Sequence, residues 1–151
     1  MTQAIKESSH AEGISTMASG EASHAEGIYS IAEGDYSHAE GNSTSEGLYS
    51  HSEGESTRAS GGSSHAEGLS SIANGNYSHA QNRGTIASGE SQTALGKYNI
   101  EDTTSALIIG NGTADNARSN ILKIDWNGNA EISGTVVSTG DVTAPKFIGA
   151  L

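Results

Sequence analysis

The chain has 151 residues, of which 20 are glycine, one is proline, none is cysteine and only 33% are hydrophobic. This composition excludes disulfide cross-links and leaves too few large apolar side chains for a conventional core, so only a regular sequence pattern argues against disorder. The formal net charge of -11 disfavours binding to nucleic acid, which requires a basic surface, and no apolar run approaches the ~20 residues of a membrane span.

A 14-residue repeat supplies such a pattern. The motif Ser-His-Ala-Glu-Gly begins at residues 9, 23, 37 and 64, and near copies begin at residues 50 and 78. All six histidines of the chain lie in this series, and their spacing is constant except for one interval, between His38 and His51, that is shorter by a single position. The second half of most units follows the related pattern Ser/Thr-x-Ala-x-Gly, as in residues 16–20 and 71–75. A repeat of this regularity dictates the fold.

The recurring residue types decide between repetitive folds. A coiled coil needs large apolar residues at two heptad positions, and glycine at this frequency destabilises a helix. Collagen needs glycine at every third position, which this sequence lacks. A β-strand fits better, because side chains alternate between its two faces. The serine, alanine and glycine of each half then face a narrow interior, and the two x residues face outward.

Two strands and two turns in each repeat unit make one coil of a narrow β-solenoid. Its coils stack roughly 4.8 Å apart, as hydrogen-bonded strands do. We expect glycines at the turns, where a positive φ costs them little. Ladder hydrogen bonds and small-residue packing replace the missing bulky core.

The outward x residues form two columns with different character. The first-half column is uniform and consists of His10, Glu12, His24, Glu26, His38, Glu40, His51, Glu53, His65, Glu67 and His79. The second-half column is variable and includes Met17, Ile31, Arg58, Ile72 and Ile86. Uniformity favours the first column as the contact with a symmetry partner, where one residue type must suit every copy. The apolar Ile and Met residues of the second column favour burial, which argues for that column as the contact instead. We give more weight to uniformity and predict that the second column faces solvent or a ligand.

These repeats resemble the head repeats of YadA-like trimeric autotransporter adhesins, whose repeat unit has the same length. The Ser-His-Ala-Glu-Gly version is similar to repeats of bacteriophage tail fibres and bacterial surface adhesins, and the resemblance covers residues 9–96. It implies an all-β fold: a left-handed parallel β-roll that assembles as a homotrimer, with the Ser-His-Ala-Glu-Gly strand at the trimer interface. His and Glu stand where the adhesins have Val and Ile, which suggests a polar interface.

The composition changes after the repeats. Residues 106–110 and 121–126 read as strands separated by a polar loop, and Asn127-Gly128 predicts a hairpin turn back into residues 130–133. Residues 135–137 and 146–148 are two further candidate strands. We predict β-roll repeats over residues 1–97 and a small β collar over 98–151. Trp126 and Phe147 would pack in this collar, and a sugar platform is the alternative role for Trp126.

The stacked histidines raise the possibility of a metal site, because three imidazoles at each level of a trimer suit zinc or nickel. The alternative is a ladder in which each His hydrogen-bonds a Glu on an adjacent strand or chain. An enzyme is not expected, since the repeated copies are equivalent and no nucleophile or metalloprotease motif occurs. We therefore predict no catalytic residues and no cofactor.

Two functions follow from these observations. The first is a structural and adhesive trimeric fibre segment of a phage tail fibre or a bacterial surface protein, located on the virion or the cell surface. Its partners would be two further copies of the chain and a cell-surface receptor or polysaccharide, and the segment could also serve only as a spacer. The second is a solenoid that binds a metal ion or another ligand through its stacked histidines.

Overall fold

The computed structural model describes residues 1–140, so the candidate strand at 146–148 and Phe147 lie outside the described residues. Within this range the secondary structure is all β, without a helix. The strands are β1 Gln3–Ala4, β2 His10–Ile14, β3 Met17–Ala18, β4 His24–Ile28, β5 Ile31–Ala32, β6 His38–Ser45, β7 His51–Ala59, β8 His65–Leu69, β9 Ile72–Ala73, β10 His79–Arg83, β11 Ile86–Ala87, β12 Thr93–Lys97, β13 Ser105–Asn111, β14 Asn120–Asp125 and β15 Ala130–Ile132.

Parallel pairing between successive repeats builds a β-solenoid with one sequence repeat in each coil, which confirms the prediction. On one side, each strand pairs with its equivalent one repeat later, in register, through β2, β4, β6, β7, β8, β10, β12 and β13. On the other side, the short strands and the second halves of β6 and β7 stack in the same way. The parallel ladder continues into β13, past the point at which the repeat sequence stops.

The interior of the solenoid is filled by alanine, serine and threonine. Fully buried alanines from both sides form two clusters, and Ile108 is the one large apolar side chain in them. Between the clusters, Ser45 of the coil that is one residue shorter and Ser52 of the next coil occupy the alanine positions. Their hydroxyl oxygens lie 2.7 Å apart in a hydrogen bond, so this polar pair is satisfied within the interior.

The glycines fall into two classes, which corrects the expectation that all of them face inward. Those that follow the short strands are buried, and a Cβ added there would lie 2.0 Å from the carbonyl oxygen of the next coil, at Gly20, Gly34, Gly47, Gly61 and Gly75. Those that follow the Glu residues are exposed and have φ angles between 88° and 105°, at Gly13, Gly27, Gly41, Gly54 and Gly68. Both classes allow the coils to approach, since a Cβ on the second class would also lie 2.1–2.5 Å from a carbonyl oxygen of the next coil. The second class in addition has a positive φ, which glycine adopts at little cost.

The corners of the coil use residues other than glycine in the left-handed conformation. One corner carries Ser8, Ala22, Tyr36, Tyr49, Ser63, Tyr77 and Ser91, and the other carries Ser15, Tyr29, Ser56, Ser70 and Tyr98, all with φ between 42° and 61°. The missing residue of the shorter coil belongs to the second corner, because the register shifts between Asn42 and Ser43. A left-handed residue with a Cβ costs about 1–2 kcal/mol, and the parallel ladder on both sides holds it there.

Two side-chain amides close the C-terminal end of the coils. Gln92 accepts hydrogen bonds from the backbone N–H groups of Ser88 and Gly89 and donates to the carbonyls of Asp102 and Ser105. Asn99 accepts from the Ile86 N–H and donates to the Ile86 carbonyl. Both are fully buried and replace ladder bonds that another coil would have made.

An antiparallel hairpin follows the last coil, as predicted. β13 pairs with β14, and β14 pairs with β15. The Asp125 carboxylate accepts hydrogen bonds from the backbone N–H groups of Asn127 and Asn129 and thereby fixes the turn. The prediction of a strand at residues 135–137 is wrong: this segment has no strand partner and Val136 and Val137 are exposed.

Candidate functional site

The histidines and glutamates of the repeats project from one outer face of the solenoid. The residue between each His and Glu is an Ala or Ser whose side chain points into the interior, so strand alternation directs both charged residues outward. We call this surface the His/Glu face. It comprises His10, Glu12, His24, Glu26, His38, Glu40, His51, Glu53, His65, Glu67, His79 and Gln81.

The imidazole rings form a continuous stack. From His24 to His79, successive ring centroids are 4.7–4.8 Å apart and the interplanar angles are 9° or less. The spacing is that of the strands themselves, because in-register parallel pairing places each ring above its equivalent. His10 differs, since its ring is tilted by 56° from that of His24 at 5.1 Å.

In three places a glutamate reaches toward the histidine of the following coil. The Nε2-to-carboxylate distances are 3.5 Å for Glu26–His38, 3.7 Å for Glu53–His65 and 3.4 Å for Glu67–His79. These contacts lack hydrogen-bond geometry, and the Nε2 atoms of His24, His38, His51, His65 and His79 are buried without a hydrogen-bond partner. Unpaired buried nitrogens of this kind need a partner that a single chain does not supply.

Burial and a neighbouring ring lower the pKa of one histidine in the stack. Burial, and then the positive charge that His65 would carry, lower the pKa of His51 below its ordinary value, against the opposing effect of Glu53, Glu40 and Glu67. With neutral imidazoles the His/Glu face carries one uncompensated carboxylate in each of five coils. Like charges repeated at strand spacing repel one another, so the face favours cations, protons or a partner with complementary donors.

The His/Glu face becomes apolar toward the C-terminus. Thr93 and Leu107 continue the histidine column, and Leu95 and Ile109 continue the glutamate column. The antiparallel hairpin extends this surface, because residues directly opposite in a ladder lie on the same face. We call the resulting patch the apolar end; it comprises Leu95, Leu107, Ile109, Leu122, Ile124 and Ile132, all partly or fully exposed in the single chain.

The variable column lies on the opposite side of the coils. Met17, Ile31, Thr44, Arg58, Ile72 and Ile86 stack in register there. Its isoleucines and Met17 are half-buried, and Arg58 is exposed and pairs with Glu46 at 3.2 Å. This column is therefore mostly apolar, is interrupted by Thr44 and Arg58, and is less uniform than the His/Glu face.

Exposed tyrosines line the corners, a feature that the sequence interpretation missed. Tyr36 and Tyr49 stack at 4.9 Å on one corner, beside Leu48, and Tyr77 lies further along the same corner. The signal was present in the sequence, because four tyrosines directly precede the Ser that begins one half of a repeat unit: Tyr29, Tyr36, Tyr49 and Tyr77. Their exposure of 47–63% leaves these rings available to another molecule.

The hairpin carries a second group of charged residues, whose side chains already have partners within the hairpin. Lys123 donates to Glu131 at 2.8 Å, which raises the pKa of Lys123. The Asn129 side chain and backbone donate to Asp125, which lowers the pKa of that carboxyl. Trp126, predicted to pack in a collar, is 59% exposed in the single chain, so any packing of its ring requires another molecule.

Several sets of side chains on the His/Glu face have the composition of a metal site. Three sets combine two histidines and one glutamate, and one combines two glutamates with His65. Within each set the potential ligand atoms lie within 4.8 Å of one another. Within residues 1–140, three or more metal-ligating side chains come together only along the histidine stack.

Comparison with known proteins gave no match among protein-family models, curated proteins or solved structures. No helix capable of spanning a membrane occurs in residues 1–140. The candidate interaction surfaces of the chain are therefore the His/Glu face, the apolar end and the exposed corners.

Proposed function

We propose that this chain is a segment of a homotrimeric fibre that serves in attachment, as part of a phage tail fibre or a bacterial surface adhesin. The resemblance of the repeats to YadA-like adhesin heads suggests this class and a left-handed roll. The observation that carries the proposal is the union of the His/Glu face and the apolar end in one continuous surface along the solenoid. We propose no catalytic role for it.

The apolar end supplies the driving force for association. Large side chains such as Leu122, Ile124 and Ile132 are costly to leave in water, and burial gains about 25 cal/mol per Å² of apolar surface. The interior of the solenoid offers them no place, because it is already filled by alanine and serine. A contiguous apolar patch on an otherwise polar surface marks an interaction site.

The His/Glu face would supply register. In a threefold assembly each coil meets the equivalent coil of its two partners. The same side chain from all three chains must therefore pack together at every coil. A column of identical His and Glu side chains satisfies that condition, whereas the variable column does not. The Nε2 atoms of His38, His51, His65 and His79, which have no hydrogen-bond partner within the chain, would find carboxylate acceptors on the neighbouring chains.

The solution mass tests this assembly. We expect a mass three times the 15.4 kDa of the chain by light scattering, and a single-chain mass for the variant Leu122→Asp. The control is Ile121→Asp, since Ile121 is the preceding residue, is exposed and does not belong to the apolar end. This control should remain trimeric.

Circular dichroism separates loss of assembly from loss of fold. A β spectrum in the monomeric Leu122→Asp variant indicates that the solenoid persists and only the interface is broken. A wild-type chain that is monomeric at micromolar concentration contradicts the proposal, and so does a trimer that Leu122→Asp leaves intact.

The attachment role rests on the surfaces that remain outside such a trimer. The stacked pair Tyr36 and Tyr49 and the column containing Ile31 and Arg58 are the candidates for a receptor or polysaccharide. Aromatic rings give large contact areas at low entropic cost. We expect the trimer to bind to an array of purified bacterial surface polysaccharides, and we expect weaker binding by Tyr36→Ser. A trimer that binds none of them serves as a spacer instead.

A further inference from the structure

We propose that His10, Glu12 and His24 form a binding site for a divalent transition-metal ion of the zinc class. The proposal concerns one end of the His/Glu face and lies within a single chain, so it does not depend on trimer formation. Two imidazole nitrogens and one carboxylate oxygen are a ligand set that zinc uses in open sites, with water in the remaining position.

The distances bring the three donors together. His10 Nε2 lies 3.5 Å from Glu12 Oε2, and the ligand atoms of all three residues lie within 4.8 Å of one another. Strand alternation places His10 and Glu12 on the same face of β2, and the in-register pairing of β2 with β4 brings His24 alongside. The Nε2 atom of His24 is buried and has no hydrogen-bond partner, so no other group of the chain competes with a metal ion for it.

The ring geometry distinguishes this set from the others. A metal–nitrogen bond lies near the plane of the imidazole ring, so two histidines that share an ion must direct their ring planes toward a common point. The parallel rings of His38 and His51, with an interplanar angle of 1°, direct their nitrogens the same way instead. The 56° tilt between His10 and His24 allows convergence on one ion.

Charge and exposure favour the same set. His10 and Glu12 are the most exposed pair of the face, with side-chain exposures of 64% and 59%, so small adjustments of their side chains are not opposed by packing. The glutamates that follow along the face add a negative field that attracts a cation. Hard cations such as Mg²⁺ and Ca²⁺ prefer all-oxygen ligand sets and do not fit two imidazoles.

Calorimetric titration with ZnCl₂ tests the site on the complete chain, purified without a histidine tag and dialysed against a chelator. We expect the high-affinity part of the titration, called the tight phase below, to correspond to one zinc ion per chain. MgCl₂ should show no comparable binding. His10→Ala and Glu12→Gln should each weaken zinc binding by at least about tenfold, because loss of even an outer-shell partner costs about 10- to 100-fold. Affinity should also fall in mild acid, since the ligand nitrogens must be unprotonated.

The matched controls lie further along the same face. His65→Ala and Glu67→Gln change equivalent residues in a parallel-stacked region, and both should retain the tight zinc phase. Absence of zinc binding in the wild-type chain overturns the proposal. Equal losses in the His10 and His65 variants also overturn it, because they indicate diffuse binding along the ladder. Unchanged circular dichroism of Glu12→Gln shows that any loss is a loss of the ligand.

Discussion

Replacing Gly61 by alanine should destabilise the solenoid by about 3 kcal/mol, the upper end of the usual cost of overpacking. The added Cβ would lie 2.0 Å from the carbonyl oxygen of Gly75 in the next coil. That oxygen belongs to the backbone, so relief requires separation of the coils. Separation would strain the bonds that the Ser60 and Gly61 N–H groups donate to the Ala73 carbonyl, at 2.9 and 3.2 Å.

The adjacent residue gives the control. A Cβ at Gly62 meets nothing closer than the side-chain oxygen of Asn76 at 3.4 Å, and its φ lies outside the left-handed region. Gly62→Ala should therefore change stability by less than about 1 kcal/mol, and a compatible Gly→Ala change often stabilises. Urea unfolding followed by circular dichroism at one fixed protein concentration compares the two variants. Equal stability of Gly61→Ala and the wild type contradicts the close approach of the coils.

The repeat in the sequence predicts the strand register well, for a physical reason. Identical residues one repeat apart have the same inward or outward preference, so only one alignment satisfies every coil, as His10 opposite His24 illustrates. The alternation also predicts which residues are outward. The same argument extends to β13, where Ile108 takes the alanine position and Leu107 and Ile109 point outward, although the motif itself has ended.

Other features depend on local backbone conformation, which residue types do not specify. Tyr36 and Ser63 adopt a conformation usually left to glycine, because ladder bonds on both sides force the corner. The exposed Gly27 and the buried Gly34 occupy similar places in the motif, yet only the first has a positive φ. The capping roles of Gln92 and Asn99 follow from the absence of another coil at that point, which the sequence pattern does not reveal.

Mild acid should destabilise the chain and loosen any assembly that buries the His/Glu face. The folded-state pKa of His51 is lowered, first by burial and then by His65, so the unfolded chain takes up the proton more readily. The contribution of His51 to the free energy of unfolding is therefore complete above the ordinary His pKa of about 6.5. It is lost as the pH falls toward the lower folded-state value.

The groups around His51 determine the size of the effect. The rings of His38 and His65 lie 4.8 Å away on either side, and Glu40, Glu53 and Glu67 are the surrounding carboxylates. Two imidazolium ions at that spacing repel by about 3.5 kcal/mol at an effective dielectric constant of about 20. The glutamates offset part of this repulsion while they remain ionised.

Melting temperature and mass at about pH 7.5 and about pH 5, on either side of the His pKa, measure the effect. We expect a lower melting temperature at the acidic pH, and a smaller decrease in His51→Gln, which removes the central titrating ring and keeps a polar side chain. The carboxyl pKa values of Asp35 and Asp125 are lowered, so both groups stay ionised between these two pH values. Their contribution to stability is lost only below the ordinary carboxyl pKa of 3.8. A melting temperature that is the same at both pH values would show that the stacked histidines do not control stability, and an equal fall in the variant would show that His51 is not the residue responsible.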